Sequence, residues 1–167
     1  VLVFIQLHGG NDGLNTLIPI SQYDDYYNLR PNIAIRHTGT RSYLNVDETV
    51  DENAQVGLHP DMLAFKEMYD QEKVAIIQNV GYPDMNLSHF RGRDVVFMGG
   101  DEGDNNQYSS GWMGRYLNNI YPGYPDAFPS ETMEDPIGIE LSGTLSLAFH
   151  REQGIPIGLN IGSPDQF

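Results

Sequence analysis

Residues 1–7, VLVFIQL, form an uncharged and largely β-branched run that stops at His8-Gly9-Gly10-Asn11-Asp12-Gly13. A strand exposed on one face alternates apolar with polar residues. A nearly continuous apolar run closed by a Gly-rich turn predicts instead a strand buried on both faces of a parallel sheet. Residues 74–80, VAIIQNV, repeat the pattern. Between the two runs, Pro60 stands where a first helical residue tolerates proline, and Met62, Phe65, Met68 and Tyr69 recur at helical spacing, which predicts a helix over residues 60–71. Strand, helix and strand in that order predict a right-handed α/β unit, with the two strands as parallel neighbours or near-neighbours in the centre of one sheet. Ligands of such sheets gather beyond the carboxyl ends of the strands.

The rest of the chain reads as shorter pieces. Ser21 is placed to cap a helix over residues 22–29, with Asp24 in its first turn and Pro31 stopping it. Residues 32–35 read as a short strand, and the polar stretch 38–54 as a hairpin or excursion. Ser88 precedes a helix over residues 89–98 that Gly99-Gly100 closes, so Ser88 takes the N-cap. Residues 101–110 make a polar loop, and Trp112, Met113, Tyr116, Leu117 and Ile120 line one face of a further helix. The proline-rich stretch 121–136 is irregular, followed by strand-like runs at 137–141, 145–149 and 155–161. Neither an internal repeat nor a linker interrupts the 167 residues, which predicts one domain without an internal boundary.

Charge narrows the partners. Nine Lys plus Arg against 23 Asp plus Glu give a formal charge of −14, which repels phosphate backbones and anionic lipid, so nucleic acid and membrane surfaces are poor partners. A small anionic substrate is compatible if a bound metal ion dominates the local field. With no cysteine, disulfides and thiolate chemistry are excluded. The apolar runs fall far short of the roughly 20 residues that cross a bilayer, so no membrane insertion is expected. The chain begins without Met inside a strand-like run, consistent with removal of a signal peptide.

Asp12 lies in the loop after the first predicted strand, where its carboxylate can serve as a hard ligand for a divalent ion or simply as a turn residue. Ser88 opens a helix whose N–H groups and positive end favour an anion, an environment suited to a nucleophile; plain capping is the alternative. Asn86 and Arg91 stand nearby as candidates for binding anionic oxygens. Gly9, Gly10 and Gly13 fit neither a phosphate loop nor a dinucleotide fingerprint. His8, His37, His59, His89 and His150 show no His-x-x-x-His spacing, and there is no Gly-x-Ser-x-Gly elbow. Asp101-Glu102-Gly103-Asp104-Asn105-Asn106 has a calcium-like composition without the EF-hand spacing.

Five blocks together carry a family resemblance. They are His8-Gly9-Gly10-Asn11-Asp12-Gly13-Leu14-Asn15-Thr16, Gly57-Leu58-His59-Pro60, residues 74–84, Ser88-His89-Phe90, and Gly111-Trp112-Met113-Gly114-Arg115-Tyr116-Leu117. In order and spacing the set resembles the exported bacterial proteins catalogued as domain of unknown function 1501 (DUF1501), which are grouped with alkaline phosphatases and sulfatases. The resemblance implies an alkaline-phosphatase-like α/β fold, a mainly parallel sheet with helices on both faces, of which these residues form an incomplete N-terminal part. It implies export, periplasmic or extracellular, often by a twin-arginine signal. It also implies a hydrolase of phosphate or sulfate esters that depends on a divalent metal, zinc, calcium or another. Asp12 then matches the metal-binding Asp of the first strand and Ser88 the nucleophile, both at one carboxyl edge of the sheet. Further Asp and His ligands are expected in a later part of such proteins, so this piece is expected to be inactive alone, with an unpaired sheet edge that favours association. A non-catalytic secreted binding or structural protein that keeps the fold is the alternative.

Overall fold

The computed structural model describes residues 1–7, 9–85, 87–100, 109–163 and 165. His8, Asn86 and the acidic run Asp101 to Asn106 lie outside the described residues. The chain is mixed α/β with small sheets, divided into two compact units, Val1–Asn79 and Val80–Phe167.

In the first unit, helix α1 (Gly13–Thr16) leads directly into strand β1 (Leu17–Pro19), and a 3-10 turn (Ile20–Gln22) then enters helix α2 (Tyr23–Leu29). Strands β2 (Leu44–Asn45) and β3 (Val56–Leu58) complete a sheet of order β1-β3-β2, antiparallel throughout, and helix α3 (Leu63–Asp70) follows. Pro19 is tolerated because β1 is an edge strand. Gly57 sits in the central strand because the Tyr43 ring lies across it: a Cβ there would come within 2.6 Å of that ring. Ile18, Tyr26, Val46 and Leu58 are the buried apolar residues of the unit. Tyr26 is more than filler. Its hydroxyl accepts from Ile35 N at 2.6 Å and donates to Asn15 Oδ1 at 2.7 Å, tying the α1 turn to the chain after α2.

In the second unit, helix α4 (His89–Met98) is capped at one end by Ser88, whose Oγ accepts from Arg91 N, and at the other by Gly99 at φ +67°, with its N–H donating to Val95 O at 2.9 Å. Serine supplies the missing acceptor at the start, and glycine accepts the left-handed conformation at the end. Helix α5 (Trp112–Ile120) lies against a 3-10 turn (Leu147–Phe149) and strand β5 (His150–Arg151). Gly111 and Gly114 make that approach feasible: a Cβ at position 111 would fall 2.2 Å from Leu147 O, and one at 114 would fall 2.1 Å from His150 O. Arg115 from the same helix donates to Met98 O at 2.6 Å, so a cation meets the carbonyl end of α4. Strand β4 (Ile139–Leu141) runs parallel to β7 (Leu159–Ile161), while β5 pairs antiparallel with β6 (Ile155–Pro156).

Several expectations hold at the level of elements. The helix expected over residues 89–98 has those bounds, α5 starts at Trp112, and α2 and α3 fall within the segments expected to be helical. Ser21 does not cap α2, because the 3-10 turn carries the chain into the helix and Gln22 takes the cap without a side-chain bond. Residues 32–35 are not a strand: 32 and 33 belong to a turn and 34 and 35 are irregular. Residues 145–149 contain a 3-10 turn, and 155–161 split into β6 and β7.

The largest correction concerns residues 1–7 and 74–80, neither of which is a strand. Leu2 and Ile5 are 78% and 79% exposed, and Ile77 is 77% exposed. An apolar run favours burial, but a strand exists only where a neighbouring edge takes its N–H and C=O groups. Among the described residues no strand pairs with either run. The only parallel pairing among them is β4 with β7, so a mainly parallel sheet with helices on both faces is not what these small sheets form.

Candidate functional site

Asp12 is the N-cap of α1, its side chain accepting from Asn15 N at 3.3 Å. That short helix is fastened on several sides. Thr16 Oγ1 donates to Asn11 Oδ1 and lies 2.9 Å from Asp12 O, Thr16 O accepts from His59 N, and Asn15 Nδ2 donates to Ile33 O. The Asp12 carboxylate faces Arg30, the residue that ends α2. Arg30 Nη1 donates to Oδ1 at 2.8 Å and Nη2 to Oδ2 at 2.5 Å. This is the two-pronged geometry in which a planar guanidinium matches a carboxylate. The hydrogen bonds from Arg30, first, and its charge hold the Asp12 carboxyl below the usual carboxylate range, against the opposing effect of desolvation. Arg30 is raised in turn by the same partner.

A carboxyl lowered on folding stabilises the fold above the usual carboxylate pKa, near 3.9, and loses that contribution as pH falls through the lower folded value. Asp12→Asn keeps a good N-cap while removing the charge. The parent is therefore expected to melt above Asp12→Asn at pH 7, with the gap closing below about pH 4. Thermal midpoints of the two proteins from pH 7 to pH 2 check this, and a gap that stays constant would refute the ion pair.

Ser88 is an exposed cap residue at the start of α4, with the Arg91 amide on its Oγ at 3.5 Å. Arg91 is half-buried in the first turn of the same helix. Asn86 lies outside the described residues. Ser88 and Arg91 thus share one helix end in the second unit, and Asp12 belongs to the first unit. The two strands expected to deliver Asp12 and Ser88 to one sheet edge are not formed.

Three of the described histidines have partners. His37 meets Tyr23 edge to face with ring centroids 5.0 Å apart, His59 Nδ1 accepts from Asp61 N, and His150 Nδ1 lies 2.9 Å from Ser146 O. No three His, Asp or Glu side chains gather as a metal site among the described residues. A groove of about 740 Å3 in the first unit is lined by Asp47, Glu48, Lys66, Asp70 and Glu72 among others, and includes none of Asp12, Ser88 and Arg91. The residue that sequence reading missed is Arg30. It stands 18 positions from Asp12, a separation with no periodic signature, and its only local sign was a basic residue ahead of Pro31.

No protein-family model, no curated protein and no solved structure matches the chain.

Proposed function

We propose that this chain carries part of an exported hydrolase of phosphate or sulfate esters, with Ser88 as the nucleophile and Asn86 and Arg91 beside it for the anionic oxygens of a small ester. In this reading the finished fold is alkaline-phosphatase-like, with a mainly parallel sheet between helices, and the protein works in the periplasm or outside the cell. The observation that carries it is Ser88 at the N-cap of the ten-residue helix α4. A hydroxyl there sits among N–H groups and positive potential that favour an approaching anion. Attack would form the bond from Oγ to phosphorus or sulfur and break the bond to the ester oxygen, which leaves with the electron pair and takes a proton as the alcohol while the serine proton passes to a base; water would then cleave the serine ester to free phosphate or sulfate and restore Ser88.

The resemblance also brings a divalent ion through Asp12, and the described residues do not fit one. Arg30 holds both Asp12 oxygens, and the further ligands that a catalytic metal needs are not gathered there. That same pairing favours the second reading, a secreted binding or structural protein that keeps the fold without catalysis.

Release of 4-nitrophenol from its phosphate and sulfate esters by the intact protein separates the two. Turnover by the parent, abolished in Ser88→Ala at a capping cost of about 0.5–2 kcal/mol, is the expected result. Turnover at the parent rate in Ser88→Ala, or none in the parent, would overturn the hydrolase reading.

A further inference from the structure

We infer that Arg30 is the resident counter-cation of Asp12, a positioning residue that closes the carboxylate to divalent ions and pins the α1 turn to the end of α2. The inference rests on the proposed reading only in taking Asp12 as the place where a metal would be sought. Its basis is the pairing itself: both guanidinium η nitrogens meet both carboxylate oxygens, at 2.8 and 2.5 Å. The donor is well anchored. Arg30 N–H donates to Tyr27 O, and Arg30 O accepts from both Ile33 N and Ala34 N, so the backbone that carries the guanidinium is fixed on each side. The acceptor is equally fixed by the α1 cap and by the bonds of Asn15 and Thr16.

The turn that Arg30 pairs with holds a set of hard oxygens. Besides the two carboxylate atoms, the turn carries Asn11 Oδ1, Thr16 Oγ1 and Asp12 O, with Thr16 Oγ1 2.9 Å from each of the other two. Oxygens of this kind are what calcium and similar ions take as ligands. A cation entering here has to displace a charge-assisted, two-pronged pair, and guanidinium is too weak an acid to leave by losing its proton. Arg30 thereby does the electrostatic work of an ion without coordinating a substrate.

The test is calorimetric titration of the chain with Ca2+ alone and with Zn2+ alone at pH 7, in the parent, Asp12→Asn, Arg30→Gln and the double variant. Expected are parent and Asp12→Asn affinities that agree, and an Arg30→Gln affinity on the order of tenfold tighter than that of the double variant. Arg30→Lys, which keeps the charge but loses the fork, gives a smaller gain of the same sign and serves if Arg30→Gln does not fold. Two results overturn the inference: an affinity that falls about tenfold on Asp12→Asn with Arg30 in place, or Arg30 variants that fold yet gain no Asp12-dependent affinity. Ester turnover is read separately, so loss of the hydrolase reading leaves this result standing, and the reverse holds too.

Discussion

Gly114→Ala is expected to destabilise the chain by about 3 kcal/mol, although alanine is normally the better helix residue. In an exposed helix interior the same change would gain roughly 0.5–1 kcal/mol, because glycine loses the most backbone freedom on folding. Here the added Cβ would stand 2.1 Å from His150 O, 2.4 Å from His150 C and 2.9 Å from His150 N. All three atoms are backbone, so no flexible side chain can yield; α5 has to lift from β5. Gly111 meets Leu147 O and Ala148 in the same way, and Gly111 N donates to His150 O at 2.8 Å, so the two glycines seat one face of the helix. Urea unfolding followed by far-ultraviolet circular dichroism checks the expectation. Gly143→Ala, with nothing within 4 Å of the new Cβ, is the matched control and is expected to lie within about 0.5 kcal/mol of the parent. A Gly114→Ala protein as stable as the parent would mean that α5 does not rest on the His150 backbone.

Ile18→Ala is expected to cost about 3–4 kcal/mol, from lost burial and from the cavity left behind. Ile18 is 0% exposed, lies opposite Gly57 on the central strand and belongs to a core shared with Tyr26, Val46 and Leu58. The comparison that gives the measurement its force is Leu2→Ala. Leu2 is 78% exposed, and its truncation is expected to change stability by no more than about 0.5 kcal/mol. Were residues 1–7 the buried central strand that their composition predicts, Leu2→Ala would cost about as much as Ile18→Ala. Chemical denaturation of both variants therefore separates the small antiparallel sheet built on β3 from the parallel sheet expected around residues 1–7.

The elements that sequence reading located share a physical property: their signals are local. Ser88 and Gly99 bracket α4 because a cap hydroxyl and a left-handed glycine act within one turn of the residues they terminate. Trp112, Met113, Tyr116 and Leu117 recur at helical spacing whatever lies opposite them. Asp12, expected in a loop as a metal ligand or a turn residue, caps α1. The failures share a property as well. Ser21 lost the cap of α2 to a 3-10 turn, and residues 145–149 traded a strand for a turn, where short apolar runs fit either state.

For this protein, then, the order of residues by itself determined the ends of α4, the exclusion of thiol chemistry, the strongly acidic net charge and the position of Ser88 at the start of a helix. These follow from composition and from interactions a few residues long. Only the tertiary structure decided that the uncharged runs 1–7 and 74–80 form no strand among the described residues, that β3 is the central strand of the three-stranded sheet, and that Arg30 closes on Asp12. Each of those depends on groups far apart in the chain meeting in space. An apolar run states that burial is favourable without stating which edge receives its hydrogen bonds. A carboxylate likewise states that it needs a cation without stating whether the cation is an ion or a guanidinium.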